Sequence, residues 1–196
     1  MSAAARHGTP ALLRLFFALW PAAAEQHRLE QASAAGVAGS GGRPIPTGNL
    51  HVTLAFLGNV DTARLPRLHA LALELAAHSG LPALQLQFQT LEYWPRPQIL
   101  CATAGTAASA SPAAALATRL RQATLAAGFS PDLKPFHAHV TVARKVASAP
   151  ATLPPLARVT WNCHAFALVA STTGASGSAY SVLESYPLDR SENAHK

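Results

Sequence analysis

The order of apolar and polar residues in the first part of the chain predicts a strand, a helix and a second strand. Arg14 to Leu19 is a short apolar run of the kind that forms a buried strand. The segment after it predicts a helix with Pro21 at its first position, running to about Ala35 and ended by Gly36. After a loop rich in Gly and Pro, β-branched and aromatic residues predict the next strand over Leu50 to Leu57.

Further signals place the remaining elements of the first half. The pair Gly58-Asn59 is expected to stop the second strand. Leucines on one helical face predict a helix from about Pro66 to His78. Leu84 to Phe88 alternates apolar residues with glutamines, which is the period of a half-buried strand, and Ile99 to Ala104 is the next apolar run.

The same order returns in the second half. Ser111 as N-cap, with Pro112 at the first position, opens a helix that Gly128 closes. The strands expected after it are Ala138 to Ala143, Val159 to Ala170 and Tyr180 to Leu183. This pattern predicts an α+β fold of two similar lobes, each a sheet with helices on one face.

Length and composition fit one such unit. The chain has 196 residues, of which 49% are hydrophobic and 12% charged, so it is too apolar for intrinsic disorder and long enough to bury a core. We expect an N-terminal extension over 1–13, a single domain over 14–188 and a polar tail over 189–196. Cys101 and Cys163 fall in apolar stretches, where small buried hydrophobes are expected rather than a disulfide or a nucleophile.

The charge balance favours anionic partners. Fifteen Lys and Arg against nine acidic residues give a net charge of +6. The basic residues are scattered singly, so a solvated basic surface remains an equal alternative to a binding footprint.

The apolar run from Leu15 to Ala24, which follows Arg6, also resembles a secretory signal. Arg14 shortens that run and favours a strand. No segment reaches the ~20 apolar residues of a membrane span. We therefore expect a cytoplasmic protein without membrane attachment.

Two copies of one short motif carry the strongest functional signal. His51 to Ala55 and His139 to Ala143 share the pattern H-V-T-x-A. From the 9 His, 9 Val and 14 Thr of this chain, chance supplies only about 0.03 H-V-T triplets. Each copy opens a predicted strand at an equivalent place in its half.

Each motif offers one imidazole and one hydroxyl, because residues i and i+2 of a strand point to the same face. If a pseudo-twofold axis relates the lobes, His51 and Thr53 face His139 and Thr141 across a cleft. In-line displacement at phosphorus needs a base on one side and an acid on the other, and a histidine pKa of ~6.5 suits both. The hydroxyls can donate to phosphate oxygens. The pattern therefore indicates phosphoester chemistry.

Two other interpretations of these histidines remain. A single H-x-T is more often a satisfied core histidine, and only the duplication favours chemistry. His137 could join His139 and His51 in a three-histidine zinc site. Against a metal, the halves share no second ligand, and no carboxylate lies close in sequence to either motif.

The segments around the motifs, Leu50 to Gly58 (LHVTLAFLG) and Phe136 to Arg144 (FHAHVTVAR), resemble the two signatures of the two-histidine phosphoesterase superfamily. Within it, the chain is most similar to the RNA 2′,3′-cyclic phosphodiesterases, long called bacterial 2′-5′ RNA ligases. The resemblance spans about Arg14 to Leu188. One departure is Ala138, where relatives commonly carry a proline.

The resemblance implies a bilobal fold with pseudo-twofold symmetry, in which two antiparallel sheets line a central cleft and the helices lie outside. It also implies that His51 is the proton donor and His139 the acceptor, that Thr53 and Thr141 bind phosphate, and that no metal or cofactor is needed.

Arg144 and Arg43 become candidates for further phosphate contacts, although Arg43 is equally well an ordinary surface arginine. The pair Tyr93-Trp94 could stack on a base, but a core or rim position is expected for it.

The sequence thus predicts an enzyme that hydrolyses RNA 2′,3′-cyclic phosphate ends to 2′-phosphomonoesters, with weak joining of RNA ends as the reverse reaction. The expected partner is RNA with such an end, for example a tRNA fragment, and the expected state is a monomer. The alternatives are a cyclic phosphodiesterase for a small nucleotide, such as ADP-ribose 1″,2″-cyclic phosphate, and a module that holds RNA ends without turnover.

Overall fold

A computed structural model describes residues 11–77, 83–104, 111–174 and 177–188. Its helices and strands are β1 (Leu12–Leu19), α1 (Ala23–Gly39), β2 (Arg43–Pro44), β3 (Val52–Asp61), α2 (Leu65–Ala77), β4 (Leu84–Trp94), β5 (Ile99–Ala104), α3 (Ser111–Ala126), β6 (His139–Arg144), β7 (Val159–Cys163), β8 (Ala165–Gly174) and β9 (Gly177–Pro187). Short 3-10 turns at Thr47–Asn49 and Thr62–Arg64 precede β3 and α2.

The strands form two antiparallel sheets, which confirms the predicted α+β fold with two lobes. The first sheet has the order β3-β1-β8-β9 and the second sheet the order β2-β6-β5-β4-β7. The buried residues form one large core and a smaller cluster of Phe16, Ala18, Ala167 and Val169 on the first sheet. This smaller cluster lies on the face of the first sheet that carries the first motif histidine.

Helices α1 and α3 each pack on the sheet that does not contain the preceding strand. α1 follows β1 of the first sheet but contacts β6 and β7 of the second. α3 follows β5 of the second sheet but contacts β3 of the first, and α2 packs against α3 and β9. Each lobe is therefore built from both halves of the sequence.

Helix α1 passes Gly36, where the sequence predicts its end, and begins at Ala23, two residues after Pro21. A Cβ atom at Gly36 would lie 2.3 Å from Cδ1 of Leu91, so the glycine allows α1 to approach β4 closely. The prediction fails here because the glycine serves packing rather than capping.

Strand β3 likewise continues past Gly58, where the sequence predicts a stop. Gly58 has a φ of +70°, and the register between β1 and β3 shifts beside it, from Leu15 opposite Gly58 to Phe16 opposite Phe56. A bulge therefore accommodates the glycine without ending the strand.

The run from Val159 to Ala170 is two strands in different sheets and not the single strand that the sequence predicts. β7 ends at Cys163 in the second sheet, and β8 begins at Ala165 in the first. A continuous apolar pattern carries no sign of the crossing, because both strands are buried. β4 is also longer than predicted and reaches Trp94.

Other predictions are confirmed within the described residues. β5 has its predicted bounds. α3 ends shortly before Gly128, and this glycine has a φ of +77°. Cys101 and Cys163 are free and buried. The side-chain cap at Ser111 and the tail from Asp189 lie outside the described residues. In the part of the chain that is described, no helix is long and apolar enough to cross a membrane.

The N-terminus of α1 is hydrogen-bonded to strand β7 of the second sheet. Oε1 of Glu25 accepts a hydrogen bond from the backbone N–H of Asn162 at 2.7 Å, and Oε2 accepts one from Ala22 N–H at 3.1 Å. The indole Nε1 of Trp161 donates to the Glu25 carbonyl at 3.0 Å. These bonds fix α1 to β7.

The next residue of α1 holds the segment before the first motif. Nε2 of Gln26 donates to the carbonyl of Leu50 at 3.0 Å and to that of Gly48 at 3.2 Å. The side chain is buried, so these bonds are shielded from water. A helix on the second sheet thereby positions the start of β3 in the first.

We expect Glu25→Ala to lower the free energy of unfolding by about 1 kcal/mol, because it leaves two part-buried backbone N–H groups without a charged acceptor. Urea denaturation followed by circular dichroism measures this. The matched control is Glu184→Ala on the exposed face of β9, for which surface position predicts a change within about 0.5 kcal/mol. Equal losses in the two variants would contradict a connecting role for Glu25.

Candidate active site

The two motif histidines lie at the starts of equivalent strands in opposite sheets. His51 directly precedes β3, and His139 is the first residue of β6. β3 and β6 contact each other, and a charge on His139 lowers the pKa of His51. The structure thus places the two predicted histidines near each other.

Each imidazole is oriented by a hydrogen bond to the backbone two residues before it. Nδ1 of His51 lies 2.6 Å from the carbonyl oxygen of Asn49, and Nδ1 of His139 lies 2.7 Å from that of His137. A carbonyl only accepts, so Nδ1 of both rings carries the hydrogen. In each ring, Nε2 is therefore the nitrogen that can accept or donate a proton in the cleft.

His51 lies among aromatic rings. The indole of Trp20 stacks on it at 5.2 Å between centroids with an interplanar angle of 10°. Phe16 is 5.0 Å away, and Tyr180 meets it edge-on at 5.2 Å. These rings fix the plane of the imidazole and exclude water from its faces.

His139 has a different environment, with one indole and a carboxylate. The ring of Trp94 lies 4.4 Å from that of His139. Glu92 accepts hydrogen bonds from Oγ1 of Thr103 at 2.8 Å and from Nε1 of Trp94 at 3.2 Å. Thr103 is directly opposite His139 in the β5–β6 ladder. Glu92 therefore orients Trp94 and places a negative charge near His139.

The two histidines differ in what shifts their pKa values. Burial lowers the pKa of His51 from 6.5 to about 4; the hydrogen bond to Asn49 raises it, and the charges of Arg144 and His139 lower it. Burial also lowers the pKa of His139, and the charge of His137 lowers it further, whereas its bond to the His137 carbonyl and, to a smaller extent, the charge of Glu92 raise it. With a pKa of about 4, His51 is neutral at pH 7.

The motif threonines are half-buried beside the histidines. Thr53 lines the same cavity as His51. Thr141 is opposite Cys101 in the sheet, and its hydroxyl is hydrogen-bonded to the Cys101 thiol. Burial raises the pKa of that thiol to about 12, so Cys101 is a protonated neighbour and not a nucleophile.

The candidate arginines meet at the end of β6. Arg43 pairs with Arg144 in the β2–β6 ladder, so the loop predicted before the first motif contains a short strand that places Arg43 there. Nη2 of Arg144 donates to the hydroxyl of Tyr180 at 3.2 Å, which links the second sheet to the first across the cleft. The structure therefore brings Arg144 to the site and Arg43 to its rim.

A cavity of about 390 Å³ opens beside His51, and it is lined by Arg14, Phe16, His51, Thr53, Phe56, Arg144, Ser171, Ser178 and Tyr180. A larger hollow of about 740 Å³ lies between α2 and α3 and contains none of the motif residues. The smaller cavity contains His51 and Thr53 of the first motif together with Arg144, so it is the candidate active site. His139, Thr141 and Arg43 are not among the residues that line it.

His137, the third histidine of the zinc alternative, is exposed just before β6. Its backbone carbonyl orients His139, and its ring lies edge-on to Trp94 at 6.4 Å between centroids. Among the described residues, no group of three His, Cys, Asp or Glu side chains is arranged to hold a metal ion.

Sequence reasoning missed four residues of the site, namely Trp20, Glu92, Trp94 as a neighbour of His139, and Tyr180. Tyr93 instead packs against the core and donates to the carbonyl of Val146 at 3.2 Å. Alternation along β4 would have placed Glu92 and Trp94 on one face, had the strand been extended beyond Phe88. For Trp20 and Tyr180 the sequence offers no local signal.

Comparison with known proteins gives one family. The model of the 2′-5′ RNA ligase superfamily matches residues 20–175. The chain is 30% identical over 184 residues to the RNA 2′,3′-cyclic phosphodiesterase of Thermus thermophilus, covering 90% of each protein. It is 29% identical over 175 residues to that of Escherichia coli, covering 89% of this chain and 96% of the relative.

Solved structures show the same fold. The crystal structure of Escherichia coli LigT complexed with 3′-AMP is 28% identical, with a TM-score of 0.80, and the match covers 92% of this chain and all of that one. A structure from Thermus thermophilus has a TM-score of 0.74 at 30% identity over 92% of this chain.

The different surroundings of the histidines predict their titration. We expect the Cε1–H resonance of His51 in NMR spectra to report a neutral ring down to about pH 4, and sulfate to raise the midpoint, because a bound dianion favours the imidazolium. Sulfate itself does not titrate in this range, and His51→Gln identifies the resonance. A midpoint near 6.5 that sulfate leaves unchanged would contradict the described environment.

Proposed function

The chain belongs to the 2′-5′ RNA ligase superfamily, and on that premise we propose that it hydrolyses the 2′,3′-cyclic phosphate end of RNA to a 2′-phosphomonoester. The observation that carries the proposal is the pair of histidines, His51 and His139, with Nδ1 bound to a backbone carbonyl and Nε2 left for proton transfer. The 3′-AMP bound to Escherichia coli LigT supports a nucleotide as ligand.

In the proposed reaction His139 is the general base. Its neutral Nε2 takes a proton from the water that attacks phosphorus, and the ring becomes an imidazolium. Glu92 supports this role, because its negative charge raises the pKa of His139 and so stabilises the cation as it forms. No carboxylate contributes to the pKa shift of His51.

His51 is the proposed general acid. The charge of a bound phosphodiester brings a proton onto its Nε2, and the ring then gives that proton to the departing 3′-oxygen as the bond from phosphorus to that oxygen breaks. A low intrinsic pKa makes the imidazolium a strong acid at this step. The products are a 3′-hydroxyl and a phosphate on the 2′-oxygen.

The remaining residues are proposed to bind the phosphate. Thr53 and Thr141 donate hydroxyl hydrogen bonds to its non-bridging oxygens, and Arg144 neutralises their charge, with Arg43 beside it. With acid, base and charge neutralisation supplied by side chains, the proposed hydrolysis needs no metal. If the 5′-hydroxyl of a second RNA takes the place of water, the same groups would form a 2′-5′ phosphodiester as the bond from phosphorus to the 3′-oxygen breaks, and would thus join RNA ends weakly.

The proposal extends to the oligomeric state of the protein and to its cellular compartment. Both histidines come from one chain, so the site is complete in a monomer. Cys101 and Cys163 are free and buried, which suits a reducing compartment such as the cytoplasm.

We expect His51→Ala and His139→Ala each to lower kcat/KM at least ~10²-fold, the usual contribution of a general acid or base. Turnover of a 2′,3′-cyclic mononucleotide and of a cyclic-ended oligonucleotide measures this, and His27→Ala, at an exposed position of α1, is the matched control. A clear preference for the mononucleotide would favour the small-nucleotide alternative, and binding without turnover would favour a binding module.

In the same assay EDTA should leave the activity of the wild-type protein unchanged. Strong inhibition by EDTA that zinc restores would contradict the metal-free reaction and favour the site that includes His137.

A thio substrate tests the direction of proton transfer. With sulfur in place of the bridging 3′-oxygen, the leaving group departs as a thiolate and needs no proton. His51→Ala should then recover much of its lost activity, whereas His139→Ala should not, because it lacks the group that activates water. Recovery of the His139 variant would reverse the two roles, and a 3′-phosphate product from the normal substrate would show that the leaving oxygen is misassigned.

A further inference from the structure

The cavity beside His51 continues past the groups that the proposed reaction uses. Its lining also includes Arg14, Ser171 and Ser178. Arg14 on β1 pairs with Ser171 on β8, whereas Thr53 pairs with Ala18, four residues further along β1. At ~3.3 Å per residue this offset is about 13 Å along the strand. Arg14 thus lies at the end of the cavity away from the first motif.

The guanidinium of Arg14 is held in place without being neutralised. Its Cζ lies 4.8 Å from the centroid of the Phe56 ring, and Phe56 is opposite Phe16, between Arg14 and the motif. Contact with a ring face supports the cation and leaves its in-plane N–H groups available. Among the described residues, the ion pairs are His27–Glu30 and Lys134–Asp132, so no carboxylate competes for Arg14.

This end of the cavity has the chemistry of a second anion site. The hydroxyl of Ser171 donates to the Arg14 carbonyl at 3.4 Å. The backbone carbonyl of Ser178 accepts from Nδ2 of Asn49 at 3.3 Å, which ties this wall to the residue that orients His51. A planar guanidinium in a cavity that also contains Ser171 and Ser178 suits the non-bridging oxygens of a phosphate.

The phosphate that would bind at this end of the cavity is a different one from the phosphate that reacts. The charge of Arg144 already acts on His51, which puts Arg144 at the reacting centre. In an RNA chain, the anion nearest to the terminal cyclic phosphate is the phosphodiester on the 5′ oxygen of the same nucleotide. A cyclic nucleoside monophosphate lacks it.

We propose that Arg14 binds this 5′ phosphate and thereby makes the site selective for RNA ends over cyclic mononucleotides. The proposal rests on the function proposed above for the same cleft. It assigns Arg14 a contact with the substrate away from the reacting atoms, so Arg14 acts on binding and not on proton transfer.

Two substrates that differ only in the 5′ group test this. Adenosine 2′,3′-cyclic phosphate and its 5′-phosphorylated form are compared with wild-type protein, Arg14→Ala and Arg14→Lys. The 5′ phosphate should raise kcat/KM of the wild type about tenfold, the scale of one charge-assisted hydrogen bond at an exposed site. Arg14→Ala should lose this gain and Arg14→Lys should keep part of it. The gain should appear in KM rather than in kcat.

Arg67→Ala is the matched control, because it removes a positive charge from the hollow between α2 and α3, away from the cleft. It should retain the tenfold gain. Loss of the gain in this variant would show a general effect of net charge and would overturn the proposal. A gain that survives in Arg14→Ala, or that is absent from the wild type, would also overturn it.

Binding of the product-like ligands adenosine 2′-phosphate and adenosine 2′,5′-bisphosphate, measured by calorimetry, repeats the comparison without turnover. If neither cyclic substrate is hydrolysed, the proposed function fails. The Arg14 site is then judged from the affinity ratio of these two ligands, which should fall from about ten to about one in Arg14→Ala. An unchanged ratio would reject the site independently of any catalysis.

Discussion

The cleft depends on a hydrogen bond that is made twice, from Nδ1–H of a motif histidine to the carbonyl two residues before it. Because this bond fixes the hydrogen on Nδ1, proton exchange is confined to Nε2 in both rings. The bond requires a backbone carbonyl that accepts no hydrogen bond from a neighbouring strand. The histidine therefore has to lie at the start of its strand. His51 and His139 both occupy that position, and Gln26 holds the carbonyls of the segment before His51.

The backbone around the two histidines is nearly symmetric, but the side chains around them are not. Aromatic rings enclose His51, whereas His139 has Trp94 on one side and the charge of Glu92 nearby. A symmetric pair of imidazoles could not distinguish acid from base, since each would hold its proton equally well. The different surroundings provide that distinction, with the carboxylate beside the ring that is proposed to gain a positive charge.

Patterns that are local in sequence were predictable, and pairings between distant segments were not. The H-V-T repeat and the period of the strands led to the two-sheet fold and to the positions of both histidines and threonines. Glycine signals failed at Gly36 and Gly58, because tertiary contacts decide whether a glycine ends an element, allows a close approach or forms a bulge. Glu92 was missed because it approaches His139 only through the ladder between neighbouring strands of the second sheet.

The exchange of helices between the lobes has a consequence for how the chain folds. β1 lies between β3 and β8, so its second neighbour is synthesised only near the end of the chain, and α1 needs β6 and β7 before its inner face is covered. Segments so far apart in sequence bury surface against each other only after a long loop has closed. The entropy cost of closing that loop slows folding. The first sheet therefore stays incomplete until β8 and β9 have been made, after every strand of the second sheet. The repeat that is visible in the sequence does not divide the chain into its two lobes, because each sheet takes strands from both halves.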